Sequence, residues 1–136
     1  MNLMEKNNKG LVEYCKAQLG RPYWYGTFGQ KVHDCIGLVK GYMWTLGADS
    51  THYIYKNGFP DVSADMQYKR STRKGSISTM PDVPGILVFM KGHVGVYIGD
   101  GWVIEARGHR WGVVKTYLKA RPWTKWAYID EIQYLE

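Results

Sequence analysis

At 136 residues the chain is long enough for one domain with a real hydrophobic core, spanning 1–136, and leaves no room for a second. Hydrophobic residues at 45% and charged residues at 22% are ordinary for a globular chain, and no stretch approaches the roughly 20 apolar residues of a membrane span. Eighteen basic against twelve acidic residues leave a net charge of +6, which favours an anionic partner such as nucleic acid, a membrane surface or a phosphate-bearing polymer.

Two cysteines, Cys15 and Cys35, are too few for a disulfide scaffold. No Cys-x-x-Cys and no Cys/His cluster at zinc spacing occurs, so neither a metal nor a cofactor is expected. The first ten residues are polar and lack the apolar run of a signal peptide, so synthesis in the cytoplasm without a separate targeting module is expected.

The first predicted element is a helix over 3–19, with Leu11, Val12, Cys15 and Leu19 on one face and Gly20 as its stop. Cys15 sits within that apolar stripe and reads as structural. A turn-rich aromatic loop, Arg21-Pro22-Tyr23-Trp24-Tyr25-Gly26, follows. From Cys35, apolar residues recur at Leu38, Val39, Tyr42, Met43 and Leu46, one buried helix face, and Gly47 ends it. Asp34 is a good N-cap, which places Cys35 in the first helical turn, where unpaired N–H groups favour thiolate and can hold an oxyanion.

Residues 47–84 form a long connection with few regular signals, apart from a short helix over 64–68 capped by Ser63. The basic run 69–75 reads as a mobile surface loop. Beyond it, β-rich runs at 85–90, 93–98, 102–106, 112–117 and 126–129 are set off by Gly and Pro and predict an antiparallel sheet. Helices first and strands later define an α+β chain with the helices on one sheet face.

The hairpin His93 to Ala106 carries the chemistry. A three-residue loop Gly99-Asp100-Gly101 sets Ile98 opposite Trp102 and Gly95 opposite Glu105, so His93 and Glu105 are diagonal neighbours on one face, roughly 7–8 Å apart at Cα. Val94, Val96, Ile98, Trp102, Ile104 and Ala106 make the other face, wholly apolar. A two-residue Asp100-Gly101 turn would put His93 and Glu105 on opposite faces. A thiol, a histidine and a carboxylate in that arrangement are the parts of nucleophilic acyl transfer: Cys35 attacks, His93 exchanges protons, and Glu105 fixes the imidazole tautomer. His33, just before the helix, is expected to face solvent, and His52 and His109 are expected in loops.

The stretches Arg21 to Gly26, His33-Asp34-Cys35-Ile36-Gly37-Leu38-Val39, and Gly92-His93-Val94-Gly95-Val96-Tyr97-Ile98-Gly99-Asp100-Gly101 with Val103-Ile104-Glu105-Ala106 together resemble the NlpC-type cysteine peptidases, cell-wall endopeptidases of bacteria and their phages. The resemblance implies a papain-like α+β core, N-terminal helices packed on a sheet of about five strands. It implies Cys35 as nucleophile, His93 as base, Glu105 as third polar residue, Tyr23 as an active-site tyrosine, and Asp34 as a contact to a substrate ammonium. Two residues depart from the pattern. Ile36 stands where serine is common and suggests a more apolar wall at the substrate groove. Glu105 stands where a second histidine is common, and a carboxylate accepts the imidazole N–H equally well.

The implied substrate is the peptidoglycan stem peptide, cut between γ-D-glutamate and diaminopimelate or lysine, with an anionic wall polymer as a possible second partner and no nucleic acid. The expected form is a monomeric phage or prophage endolysin acting on the wall after release. Alternatives are an amidase of the cysteine-histidine amidohydrolase-peptidase type, an acyltransferase on the same scaffold, and a non-catalytic module binding wall or nucleic acid.

Overall fold

The computed structural model describes residues 6–23, 35–46, 53–55 and 57–136. His33, Asp34 and the residues Trp24-Tyr25-Gly26 of the aromatic loop, as well as His52, lie outside the described residues. Helix α1 (Asn8–Ala17) starts at Asn7, whose side chain accepts the Gly10 N–H at 2.8 Å. It is shorter than the expected 3–19. Lys6 and Asn7 run beside Gln133 instead, with Asn8 N donating to Gln133 O at 2.9 Å and Gln133 N to Lys6 O at 3.1 Å. An asparagine cap at this point satisfies a helical N–H that has no partner within the helix.

Leu11, Val12 and Cys15 form the buried face of α1. Helix α2 (Gly37–Met43) packs against it through two glycines that each receive a tyrosine. A Cβ on Gly10 would lie 2.2 Å from the Tyr42 hydroxyl, and one on Gly41 would lie 2.1 Å from the Tyr14 hydroxyl. This contact fixes α2, and through it the residues that lead into it. α2 stops at Met43 rather than running to Leu46, because Trp44 turns extended (φ −90°, ψ 148°) and its indole N–H reaches Phe59 O at 2.9 Å. Thr45–Leu46 (β1), expected as the end of that helix, then pairs antiparallel with Tyr53–Tyr55 (β2), which lies in the connection expected to carry few regular signals.

Ser63 caps α3 (Ala64–Arg70), its hydroxyl accepting the Met66 N–H at 3.2 Å. The basic run 69–75 is not a mobile loop. Arg70 ends α3 paired with Glu131, and Arg73 lies 4.0 Å from the Tyr128 ring centroid. Lys74 donates to the Tyr68 and Lys69 carbonyls at 3.0 and 2.9 Å, a cation on the C-terminal carbonyls of α3. Lys74–Ser76 is itself a strand, β3.

The remaining strands are β4 (Leu87–Met90), β5 (His93–Gly99), β6 (Trp102–Ala106), β7 (Val113–Tyr117) and β8 (Lys125–Ala127). They join β3 in a six-stranded antiparallel sheet of order β3-β8-β4-β5-β6-β7, so the α+β expectation holds with one strand more than the sequence indicated. Leu87, Phe89, Val94, Val96, Ile104 and Ala106 meet Leu11, Leu38 and Val39 of the helices in the main core. On the other face Val88, Tyr97 and Val103 are covered by Trp123. Trp102 departs from its expected place: it is exposed, with its ring edge-on to Tyr117 at 5.1 Å.

The β5–β6 turn reconciles two expectations that excluded each other. The turn is the two-residue one, Asp100 (φ 54°) and Gly101 (φ 84°), with Gly99 paired to Trp102. Two positive φ values make it the Asp-Gly hairpin turn whose twist matches the strands. A bulge between Tyr97 and Gly99 absorbs one residue, so beyond it Tyr97 faces Val103 and Val96 faces Ile104, the register expected from a three-residue loop. His93 and Glu105 therefore share a face.

Candidate active site

Cys35 lies in the turn just before α2, not in its first turn, and Ile36 is the N-cap. The thiol is half-buried, and Sγ lies 3.9 Å from the carbonyl oxygen of Gly92. Gly92 immediately precedes His93, the first residue of β5. The packing of α2 on the sheet thus brings the thiol to the start of the strand that carries the histidine, across a separation of 57 residues. Cys15, by contrast, is fully buried, and burial pushes its thiol pKa far up, as its place in an apolar helix stripe predicts.

His93 Nε2 lies 2.7 Å from Glu105 Oε1. Glu105 is completely buried on β6, where Arg121 donates from Nη2 to Oε1 at 3.0 Å and from Nε to Oε2 at 3.1 Å, while the Thr116 hydroxyl donates to Oε2 at 2.6 Å. Burial alone would raise the Glu105 pKa. The hydrogen bonds from His93, Arg121 and Thr116 outweigh it and hold the carboxyl at about 2. An ionised carboxylate only accepts, so Nε2 of His93 carries the proton and Nδ1 is left as the basic nitrogen. The imidazole is also stacked on Trp123, with centroids 5.5 Å apart and planes 14° from parallel.

Trp123 reaches the ring across Gly95. A Cβ there would lie 2.7 Å from Val103 Cγ1 and 2.9 Å from the Trp123 ring. Gly95→Ala is therefore expected to destabilise the fold by about 1–3 kcal/mol in urea unfolding and to lower activity by displacing Trp123 from His93; an unchanged unfolding midpoint would count against this packing.

Tyr23 is half-buried against the main core, with its ring edge-on to His109 at 5.4 Å. Hydrogen bonds from Gly20 N to Val113 O (2.9 Å) and from Val113 N to Arg21 O (2.8 Å) tie its segment to the start of β7. Ile36, expected as an apolar wall of the groove, has its side chain in the main core at 3% exposure. Thr116, Arg121 and Trp123 were not singled out from the sequence. Thr116 was within reach, because a β6–β7 pairing that sets Glu105 against Val114 puts Thr116 on the carboxylate's face. Arg121 and Trp123 come from the connection between β7 and β8, whose path no local pattern specifies.

Fold and site together define an α+β chain in which a thiol lies against the carbonyl of the residue that precedes a histidine held by a buried carboxylate. Residues 20–131 match the NlpC/P60 family, and the chain belongs to that family. It is 33% identical over 104 residues to the Listeria grayi protein named "Probable endopeptidase p60", covering 71% of this chain and 17% of that protein. A like-named protein of Listeria innocua is 31% identical over 123 residues, covering 85% and 22%. The chain thus spans about a fifth of the length of these curated relatives. Among solved structures, NlpC1 from Trichomonas vaginalis superposes with a TM-score of 0.68 at 20% identity, covering 90% of this chain and 44% of that one. The NlpC/p60 domain of the peptidoglycan hydrolase SagA gives 0.63 at 17% identity, covering 89% and 97%. These likenesses show the fold.

Proposed function

We propose that this protein is a peptidoglycan hydrolase, a cysteine endopeptidase that cuts the wall stem peptide between γ-D-glutamate and the diamino acid through a thiol acyl-enzyme. The observation that carries the reading is the ionised Glu105 holding Nε2 of His93 while the Cys35 thiol lies against the adjoining Gly92 carbonyl. Family membership and the names of the relatives support the substrate class. The net charge of +6 suits an anionic wall, where the protein acts after release from the cytoplasm in a phage or prophage setting.

In the reaction, Nδ1 of His93 takes the thiol proton and Sγ attacks the amide carbonyl carbon. Backbone N–H groups around Cys35 hold the oxyanion. As the C–N bond breaks, the imidazolium gives its proton to the leaving amine, and a thioester remains on Cys35. Water, losing a proton to Nδ1, attacks the thioester, and the thiolate leaves and is reprotonated. Glu105 stays ionised throughout and steadies the imidazolium.

Digestion of purified peptidoglycan followed by mass analysis of the soluble products tests both the activity and the bond. Peptides beginning at the diamino acid are expected. Whole stem peptides freed from the glycan would replace the endopeptidase reading with the amidase one, and no release from lysine-type or diaminopimelate-type walls would remove the hydrolase reading altogether.

A further inference from the structure

Beside the site, on the α3 side of the sheet, is a pocket of about 390 Å³ that none of the chemistry above uses. Its floor is aromatic, Tyr68 packed edge-on to Phe89 at 5.3 Å, and its charged lining is Asp65, Lys69, Lys91 and Lys125. The pocket adjoins the thiol through one residue. Asp65 Oδ1 accepts the Gly92 N–H at 2.9 Å, and the Gly92 carbonyl lies 3.9 Å from Cys35 Sγ. The single carboxylate of the lining is thus engaged with the backbone. The three lysines are exposed, and among the described residues none forms an ion pair with a carboxylate. Lys125 is placed over the Tyr68 ring at 4.7 Å.

Three ammonium groups against one carboxylate give the pocket a surplus of positive charge, which favours an anionic group on a ligand. We propose that this pocket is a substrate subsite that takes a carboxylate-bearing residue of the stem peptide next to the scissile amide, with Lys69, Lys91 and Lys125 as its specificity determinants. A volume at the small end of ligand pockets suits an amino-acid residue better than a polymer chain. The contacts from Asp65 to Gly92 and from Gly92 to the thiol place the pocket on the Gly92 side of the site. The proposal rests on the peptidase reading of Cys35.

The test compares two synthetic stem peptides, one with free carboxylates flanking the scissile bond and one with those carboxylates amidated. Wild type is expected to favour the free-acid peptide about tenfold in kcat/KM, and Lys69→Gln/Lys125→Gln to lose most of that preference. Lys16→Gln/Lys119→Gln, which removes the same charge elsewhere on the surface, keeps it. A preference unchanged in the pocket variant, or lost equally in the control, overturns the proposal. If the pocket variant keeps its preference but escapes inhibition by poly(glycerol phosphate), the pocket serves a wall polymer and the proposal also fails. If wild type cleaves neither peptide, the peptidase reading falls, and calorimetry on Cys35→Ala protein decides the pocket separately. There the free-acid peptide binds about tenfold tighter, an advantage the lysine substitutions remove; equal affinity for the two peptides overturns the pocket.

Discussion

Cys35→Ser is expected to lower wall hydrolysis by on the order of ten-thousandfold or more while leaving the urea unfolding midpoint close to that of wild type. The two effects separate because the thiol lies half-buried in a turn, where exchanging sulfur for oxygen empties no core site. A hydroxyl is far less acidic than a thiol, so an imidazole able to ionise a thiol leaves a serine protonated and weakly nucleophilic. The other thiol cannot take over. Cys15 is sealed in the core with its pKa driven up by burial. Iodoacetamide should therefore add one carboxamidomethyl group to the folded chain, on Cys35, and a second on Cys15 after unfolding in denaturant. Labelling of folded protein at Cys15, or wall hydrolysis retained by the serine variant, would remove Cys35 from the nucleophile's role.

What could be read from the sequence and what could not divide along the range of the interactions involved. The alternation from Val94 to Ala106 reports burial residue by residue, and it placed His93 and Glu105 on one face although the turn expected beneath them was wrong. The bulge at Ile98 was invisible because it adds a residue without disturbing the apolar pattern on either side. Cys35 was recognisable as the head of an amphipathic stretch. Its exact place in the turn before α2 depends on Trp44 and Tyr42 contacts made across the fold. The run 69–75 failed for a related reason. A basic stretch reads as solvated when its partners are Glu131 and Tyr128, some 60 residues away, and when the groups that Lys74 satisfies are backbone carbonyls. Periodicity carries no signal for such pairings.

The buried carboxylate should be the most sensitive position after Cys35. Glu105→Gln is expected to reduce kcat/KM by roughly a thousandfold to ten-thousandfold, on the scale seen when an amide replaces a histidine-orienting carboxylate. Both oxygens of Glu105 accept from donors: Oε1 from His93 and Arg121, Oε2 from Thr116 and Arg121. A glutamine supplies one oxygen and one NH2. If the NH2 takes the Oε1 position it donates to Nε2 and forces the imidazole proton onto Nδ1, which removes the lone pair that the proposed reaction uses as base. If it takes the other position it points at the Arg121 Nε–H. Either way a largely buried guanidinium loses its counter-charge, at a cost of about 3–5 kcal/mol. Acid provides an independent reading of the same group. Because its folded pKa is about 2 against an ordinary 4.5, Glu105 binds protons more readily unfolded than folded. Its contribution, roughly 3 kcal/mol, is complete above pH 4.5 and is lost as pH falls toward and through 2. The glutamine variant should lack that acid-limb slope in urea titrations. Arg121→Met should shift the slope to higher pH, since losing two donors leaves burial less opposed, and should cost less activity than Glu105→Gln because the His93 bond survives. A glutamine variant with the wild-type rate and the wild-type acid slope would show that the imidazole is oriented by something other than Glu105.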